Sequence, residues 1–233
     1  MKISNFIRVY IFFIVLVFGG ELSDTQIQHH LNILNGNSSE CLMHRFYTNS
    51  GWIRIEGEVG INGIDGLYYK VENNTIKEVL ISESKWNKSR LGKSGKNRHI
   101  KQMSKEWILK ALDKLQKYKP LPQYKVIQRL VKSDKYRARL FKVLPIDDDK
   151  IQIIIYRIKN KGFNRYDKII ESRLNPISIT KPKNSFENGM IKAYRKCKEE
   201  SISKYFSTIK REEIIILLDD NYLRKEDIKR YLK

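Results

Sequence analysis

The chain has 233 residues, with 46 Lys plus Arg against 26 Asp plus Glu and a net charge of +20. That length suits one domain of moderate size, or one domain with a smaller helical appendage, and 41% apolar residues are enough for a real core. The charge surplus attracts polyanions, nucleic acid above all, although a ribosomal-type or membrane-surface protein would show the same balance. Cys41 and Cys197 give neither a zinc pattern nor a disulfide framework. They can pair if the protein is exported, but burial as small apolar residues is the expectation. The four histidines have no metal-ligand spacing, and each is expected to serve at the surface or in the core.

Residues 1–20 differ from the rest. Lys2 and Arg8 make a basic start, the apolar run Val9–Phe18 follows, and Gly19-Gly20 closes it. This pattern fits a secretory signal with cleavage near Glu21. The run is short for a spanning helix, which needs about 20 residues, and no second stretch could cross a bilayer. An uncleaved membrane anchor is the alternative. Ser23 or Asp24 can cap a helix running to about Leu34, ended by Gly36-Asn37. Ser39 can cap a second helix, from Glu40 to about Tyr47. Trp52–Glu56 alternates as a strand does.

The next segment carries the chemistry. Gly63-Ile64-Asp65-Gly66 leads into the tyrosine-containing run Leu67–Val71, a turn-prone Glu72–Thr75, and an apolar run ending in Glu83-Ser84-Lys85. This reads as a β-hairpin with acids near the strand ends. Strand side chains alternate, so Glu83 and Lys85 share a face and Ser84 points away. Two carboxylates can hold Mg²⁺, which takes oxygen ligands, and the lysine can sit over a reacting phosphate. Residues 86–99 read as a mobile basic loop. The helix from about Lys101 to Lys119 follows, with Met103, Trp107, Ile108, Ala111, Leu112 and Leu115 as its core stripe. Gln102 falls in its expected first turn.

In this order, Gly-Ile-Asp-Gly, Glu-Ser-Lys and Gln-Met-Ser-Lys-Glu-Trp-Ile resemble the PD-(D/E)xK nuclease superfamily, closest to nuclease domains of bacterial polymorphic and contact-dependent toxins. The resemblance covers about residues 38–118. Ile64 stands where the superfamily name has Pro. The resemblance implies an α/β (α+β) fold of the restriction-endonuclease type, a mixed central sheet flanked by helices, with Mg²⁺ or another divalent cation such as Mn²⁺. It implies Asp65 and Glu83 as metal ligands, Lys85 and Gln102 as catalytic partners, and a glutamate of the first core helix, Glu40, as a further ligand. Glu56 and Glu58 compete for that last role. A cognate immunity protein is implied if the chain is a toxin.

Pro120-Leu121-Pro122 breaks the main helix, and a short helix is expected around Val126–Val131. Tyr136–Leu144 and Lys150–Ile158 read as strands joined by a turn containing Asp147-Asp148-Asp149, to which no chemistry is assigned. From Asp167 the chain is expected to be mainly helical, with Ser185 capping one helix. The resulting division is a signal-like segment 1–20, a nuclease-like domain 21–160, and a basic helical region 161–233. Phosphate contacts are expected from Lys88, Arg90, Lys93, Lys96, Arg98 and Lys101. The expected function is metal-dependent phosphodiester hydrolysis, of DNA ahead of RNA, by an exported protein. The alternatives are a noncatalytic nucleic-acid binder on a degenerate nuclease scaffold and a nuclease acting on RNA.

Overall fold

The structure, a computed structural model, describes residues 23–57, 63–95 and 99–206. It is a mixed α/β protein with a central seven-stranded sheet flanked by four helices, the last of which forms the C-terminal part of the described chain. The signal-like segment, Glu58, Lys96, Arg98 and the final lysine-rich segment lie outside the described residues.

Helix α1 spans Asp24–Asn49. Ser23 opens it with a capping box, its hydroxyl accepting from Gln26 N at 3.3 Å while its own amide donates to Gln26 Oε1 at 2.9 Å. One continuous helix replaces the two that were expected, because Gly36-Asn37 does not stop it. A helical glycine costs only about 1 kcal/mol, and tertiary contacts outweigh that here. Leu31 and Leu34 before the glycine, and Leu42, Met43 and Tyr47 after it, are all buried. Ser38 Oγ and Ser201 Oγ both donate to Leu34 O, at 2.8 and 2.9 Å.

Strand β1 (Ile53–Ile55) is the short edge of the sheet. β2 (Gly66–Glu72) and β3 (Thr75–Trp86) form the expected hairpin. Its turn residues Asn73 and Asn74 both have positive φ, which asparagine tolerates better than most residues. A small ladder, β4 (Lys93–Ser94) with β5 (Ile100–Lys101), gives partial order to the basic segment. Helix α2 (Lys105–Tyr118) is capped by Ser104, so Gln102 stands ahead of the helix rather than in its first turn. Pro122 begins helix α3 (Pro122–Lys132), at the position where a missing amide costs nothing.

β6 (Arg137–Asp147) then pairs parallel with β3, and β7 (Lys150–Asn160) pairs antiparallel with β6. The β3–β6 pair is the parallel one, and it needs a crossover, which α2 and α3 supply. The chain past Asp167 departs from expectation, forming β8 (Tyr166–Arg173) and β9 (Ile177–Ser178), both paired with β7, before helix α4 (Ser185–Tyr205). Its cap is Asn184 rather than Ser185. β8 therefore extends the sheet across residue 160 instead of opening a helical segment.

Two cores sandwich the sheet. α1 and α4 pack on one face through Leu42, Met43, Met190, Ile191 and Tyr194. α2 and α3 pack on the other, with Trp107, Ile108, Leu112, Tyr124 and Ile127 against Val79, Ile81 and Leu140. Cys41 and Cys197 form a disulfide between α1 and α4, correcting the expectation of two buried thiols. Sequence separation hid this pairing, and helix docking brings their Cα atoms to 5.5 Å.

Candidate active site at the ends of β2 and β3

Asp65 immediately precedes β2, and Glu83 and Lys85 lie on the last third of β3. The hairpin register pairs Gly66 with Ser82, which carries Asp65 alongside Glu83. The backbone locks this approach in both directions. Asp65 N donates to Glu83 Oε1 at 3.3 Å, and Ser84 N donates to Asp65 Oδ2 at 3.0 Å. Lys85 Nζ lies 3.3 Å from Glu83 Oε2 and 3.9 Å from Asp65 Oδ2. Ser84 points to the opposite face and shares a 2.6 Å hydrogen bond with Ser39 of α1. The alternation read from the sequence is thus the one the strand adopts.

Two glycines admit this geometry. A Cβ on Gly66 would lie 2.7 Å from Tyr68 Cε2 and 2.9 Å from Met43 Cε. A Cβ on Gly57 would lie 2.4 Å from Ile64 O, at the point where Ile64 N bonds Gly57 O at 2.8 Å and the chain re-enters the core ahead of Asp65.

Gln102 joins the site from outside the hairpin. Its Nε2 donates to Glu83 Oε2 at 2.5 Å, while its Oε1 accepts from Gly92 N at 2.9 Å and its own amide donates to Gly92 O at 3.0 Å. One side chain therefore holds both the acid and the start of the basic segment. Glu40 approaches from α1. Its Oε1 lies 3.2 Å from His44 Nε2, and His44 Nδ1 lies 2.5 Å from the Tyr68 hydroxyl. His44 and Tyr68 were not singled out in the sequence. The i,i+4 spacing of Glu40 and His44 on one helix face was the available signal.

Electrostatics mark the cluster. Glu83 is fully buried, at 0% exposure. Burial first, and then the charge of Asp65, push its carboxyl well above the usual carboxylate range against the opposing pull of Lys85. Burial also raises Asp65; Lys85 opposes this and Glu40 adds to it. One fully buried and one half-buried carboxylate with one bridging ammonium leave negative charge under-compensated. An oxygen-only donor set with that deficit fits a hard divalent cation, which Asp65 and Glu83 could hold, with Glu40 beside them.

Not every predicted residue joins. The ligand oxygens of Glu40, Asp65 and Glu83 do not all lie within 4.8 Å of one another. Among the described residues the one such triplet is Cys41, Cys197 and Glu200, whose cysteines are bonded to each other, so it is no metal site. Glu56 falls outside β1; its carboxylate lies 3.7 Å from Lys119, and its carbonyl accepts from Tyr124 at 2.7 Å. Lys88, Arg90, Lys93 and Lys101 are exposed on the segment bordering the site. An open cavity of about 650 Å³ near Arg137, Arg139 and Arg157 lies at the start of β6, and Glu78 and Glu171 pair with its arginines.

The chain matches no protein-family model, no curated protein and no solved structure.

Proposed function

We propose that the chain is a divalent-metal-dependent nuclease hydrolysing phosphodiester bonds, of DNA ahead of RNA, and that it acts as an exported toxin effector. The observation that carries the reading is the fully buried Glu83 beside Asp65, with Lys85 reaching both carboxylates. Burying an acid beside a second one costs folding free energy, which is expected where function requires the charge.

Asp65 and Glu83 would hold the ion. When bound, Mg²⁺ or Mn²⁺ polarises the phosphate and lowers the pKa of the attacking water. Lys85 then stabilises the charge that develops on the phosphate oxygens. Gln102 fixes the rotamer of Glu83 through its 2.5 Å hydrogen bond, and His44 orients Glu40. The Cys41–Cys197 disulfide supports export, since such bonds persist in oxidising compartments. The signal-like residues 1–20 support it too. As a toxin effector the chain would have a cognate immunity protein as its partner.

The test is incubation with plasmid DNA and with tRNA, in Mg²⁺ and in EDTA. Cleavage should require Mg²⁺ and should be lost in Asp65→Ala and Glu83→Ala. Undiminished cleavage in EDTA, or full activity in either variant, overturns the proposal. Preferential cleavage of tRNA reassigns the substrate to RNA.

A further inference from the structure

Lys85 is not the last cation on its face of the sheet. The parallel register sets Lys85 beside Lys142 on β6. Lys142 shares a face with Leu140 two residues earlier, which packs in the α2–α3 core with Ile81 and Val79. One strand further, Tyr156 of β7 lies opposite Leu140, and Ile158 lies opposite Lys168 of β8. Lys168 Nζ sits 4.6 Å above the Tyr156 ring, which places it on the same face. Neighbouring strands are about 4.8 Å apart, so β8 lies about 14 Å from β3, and the registers set Lys168 level with Ala138, so the cations run diagonally across the sheet from Lys85 and Lys142. Burial holds Lys142 below its ordinary range, and the charges of Lys168 and Arg90 add to this.

Among the described residues, none of Arg90, Lys142 and Lys168 forms an ion pair. The acid next to Lys168, Asp167, pairs with Lys161, and Glu171, three residues on, is turned away by a bulge. Ile170 faces Tyr156 and Ser172 faces Ile155, leaving Glu171 between them to pair with Arg139 and Arg157. Like charges held together without a counter-charge are unfavourable unless an anion completes the site.

We propose that the sheet face from Lys85 through Lys142 to Lys168 is a track for the sugar-phosphate backbone of one nucleic-acid strand, binding phosphates on one side of the scissile bond. This rests on the phosphodiester reading above. Tyr156 is covered by Lys168, so the track contacts backbone rather than stacking bases, and it carries no sequence preference.

The test is binding of a labelled single-stranded oligonucleotide by the full chain in EDTA, followed by fluorescence anisotropy across a salt series. Each phosphate contact contributes about 0.7 to the slope of log K against log salt for single strands. Lys142→Gln with Lys168→Gln should therefore lower the slope by about 1.4 and weaken binding on the order of tenfold to thirtyfold at 0.1 M salt. Lys142→Met, which keeps the apolar stem, should lower it by about half as much. Lys192→Gln with Lys196→Gln, on the exposed side of α4 across the sheet, is the control and should leave both quantities unchanged. The proposal is overturned if wild type does not bind, if the track variants match wild type, or if the control loses as much as they do. Because no cleavage is read, a lost slope in a protein that never cuts plasmid keeps the track and removes the reaction. Cleavage with an unchanged slope does the reverse.

Discussion

Gln102 holds Glu83 at 2.5 Å although nineteen residues separate them, and it does so from outside the helix it precedes. The side chain is oriented by its neighbours. Its oxygen is committed to the amide of Gly92, so its NH₂ must face the carboxylate. Gln102 thereby sets the position of a buried acid that cannot turn toward water.

Replacing Gln102 by Ala should accordingly lower Mg²⁺ affinity or turnover by about 10- to 100-fold, the usual cost of losing a partner that orients a ligand. A Mg²⁺ titration of cleavage separates the two effects. Wild-type behaviour in both would mean that Glu83 is positioned by the hairpin alone.

The raised carboxyls fix the sign of a pH effect. A carboxyl whose pKa is higher folded than unfolded lends stability below its unfolded value, near 4.5 for Glu83, and loses it as pH rises through the folded value. In EDTA, Glu83→Gln should therefore be more thermostable than wild type at pH 8, with the difference shrinking toward pH 4.5. Mg²⁺ favours the ionised acids, so it should raise the wild-type Tm more at pH 8 than at pH 5. A Tm difference independent of pH in thermal scans would show that Glu83 carries no unusual charge burden.

Lys85→Ala should cut turnover by about 10²- to 10³-fold, the cost seen when a donor to developing charge is removed. Nucleic-acid affinity should stay within a few-fold, because the exposed cations around the site supply the binding. Filter binding measured beside single-turnover cleavage decides this. Equal losses in both would make Lys85 a binding residue.

The disulfide bears on stability and on the site together. It links residues 156 apart, and its removal should cost about 2–5 kcal/mol, weighted toward the upper end by the long closed loop. Cys41 directly follows Glu40, so loosening α1 from α4 should also disturb Glu40. Urea unfolding of Cys41→Ser with Cys197→Ser, compared with oxidised wild type, measures the first effect. An unchanged midpoint would show that the α1–α4 packing suffices without the bond.

Local patterns in the sequence determine the hairpin, its Asn73-Asn74 turn, the Ser104 cap and the common face of Glu83 and Lys85. Each depends on the period of a strand or on residues a few positions apart. The acids and the lysine were legible for the same reason. Tertiary structure decided the rest. Packing carried α1 through Gly36, because buried leucines on both sides outweigh one glycine. Docking of α4 on α1 paired Cys41 with Cys197. Pairing with β7 made a strand of residues 166–173, a polar and charged stretch whose partner strand is not visible in its own pattern. Parallel pairing of β3 with β6 set Lys142 beside Lys85, a relation between residues far apart in the chain that no local period encodes.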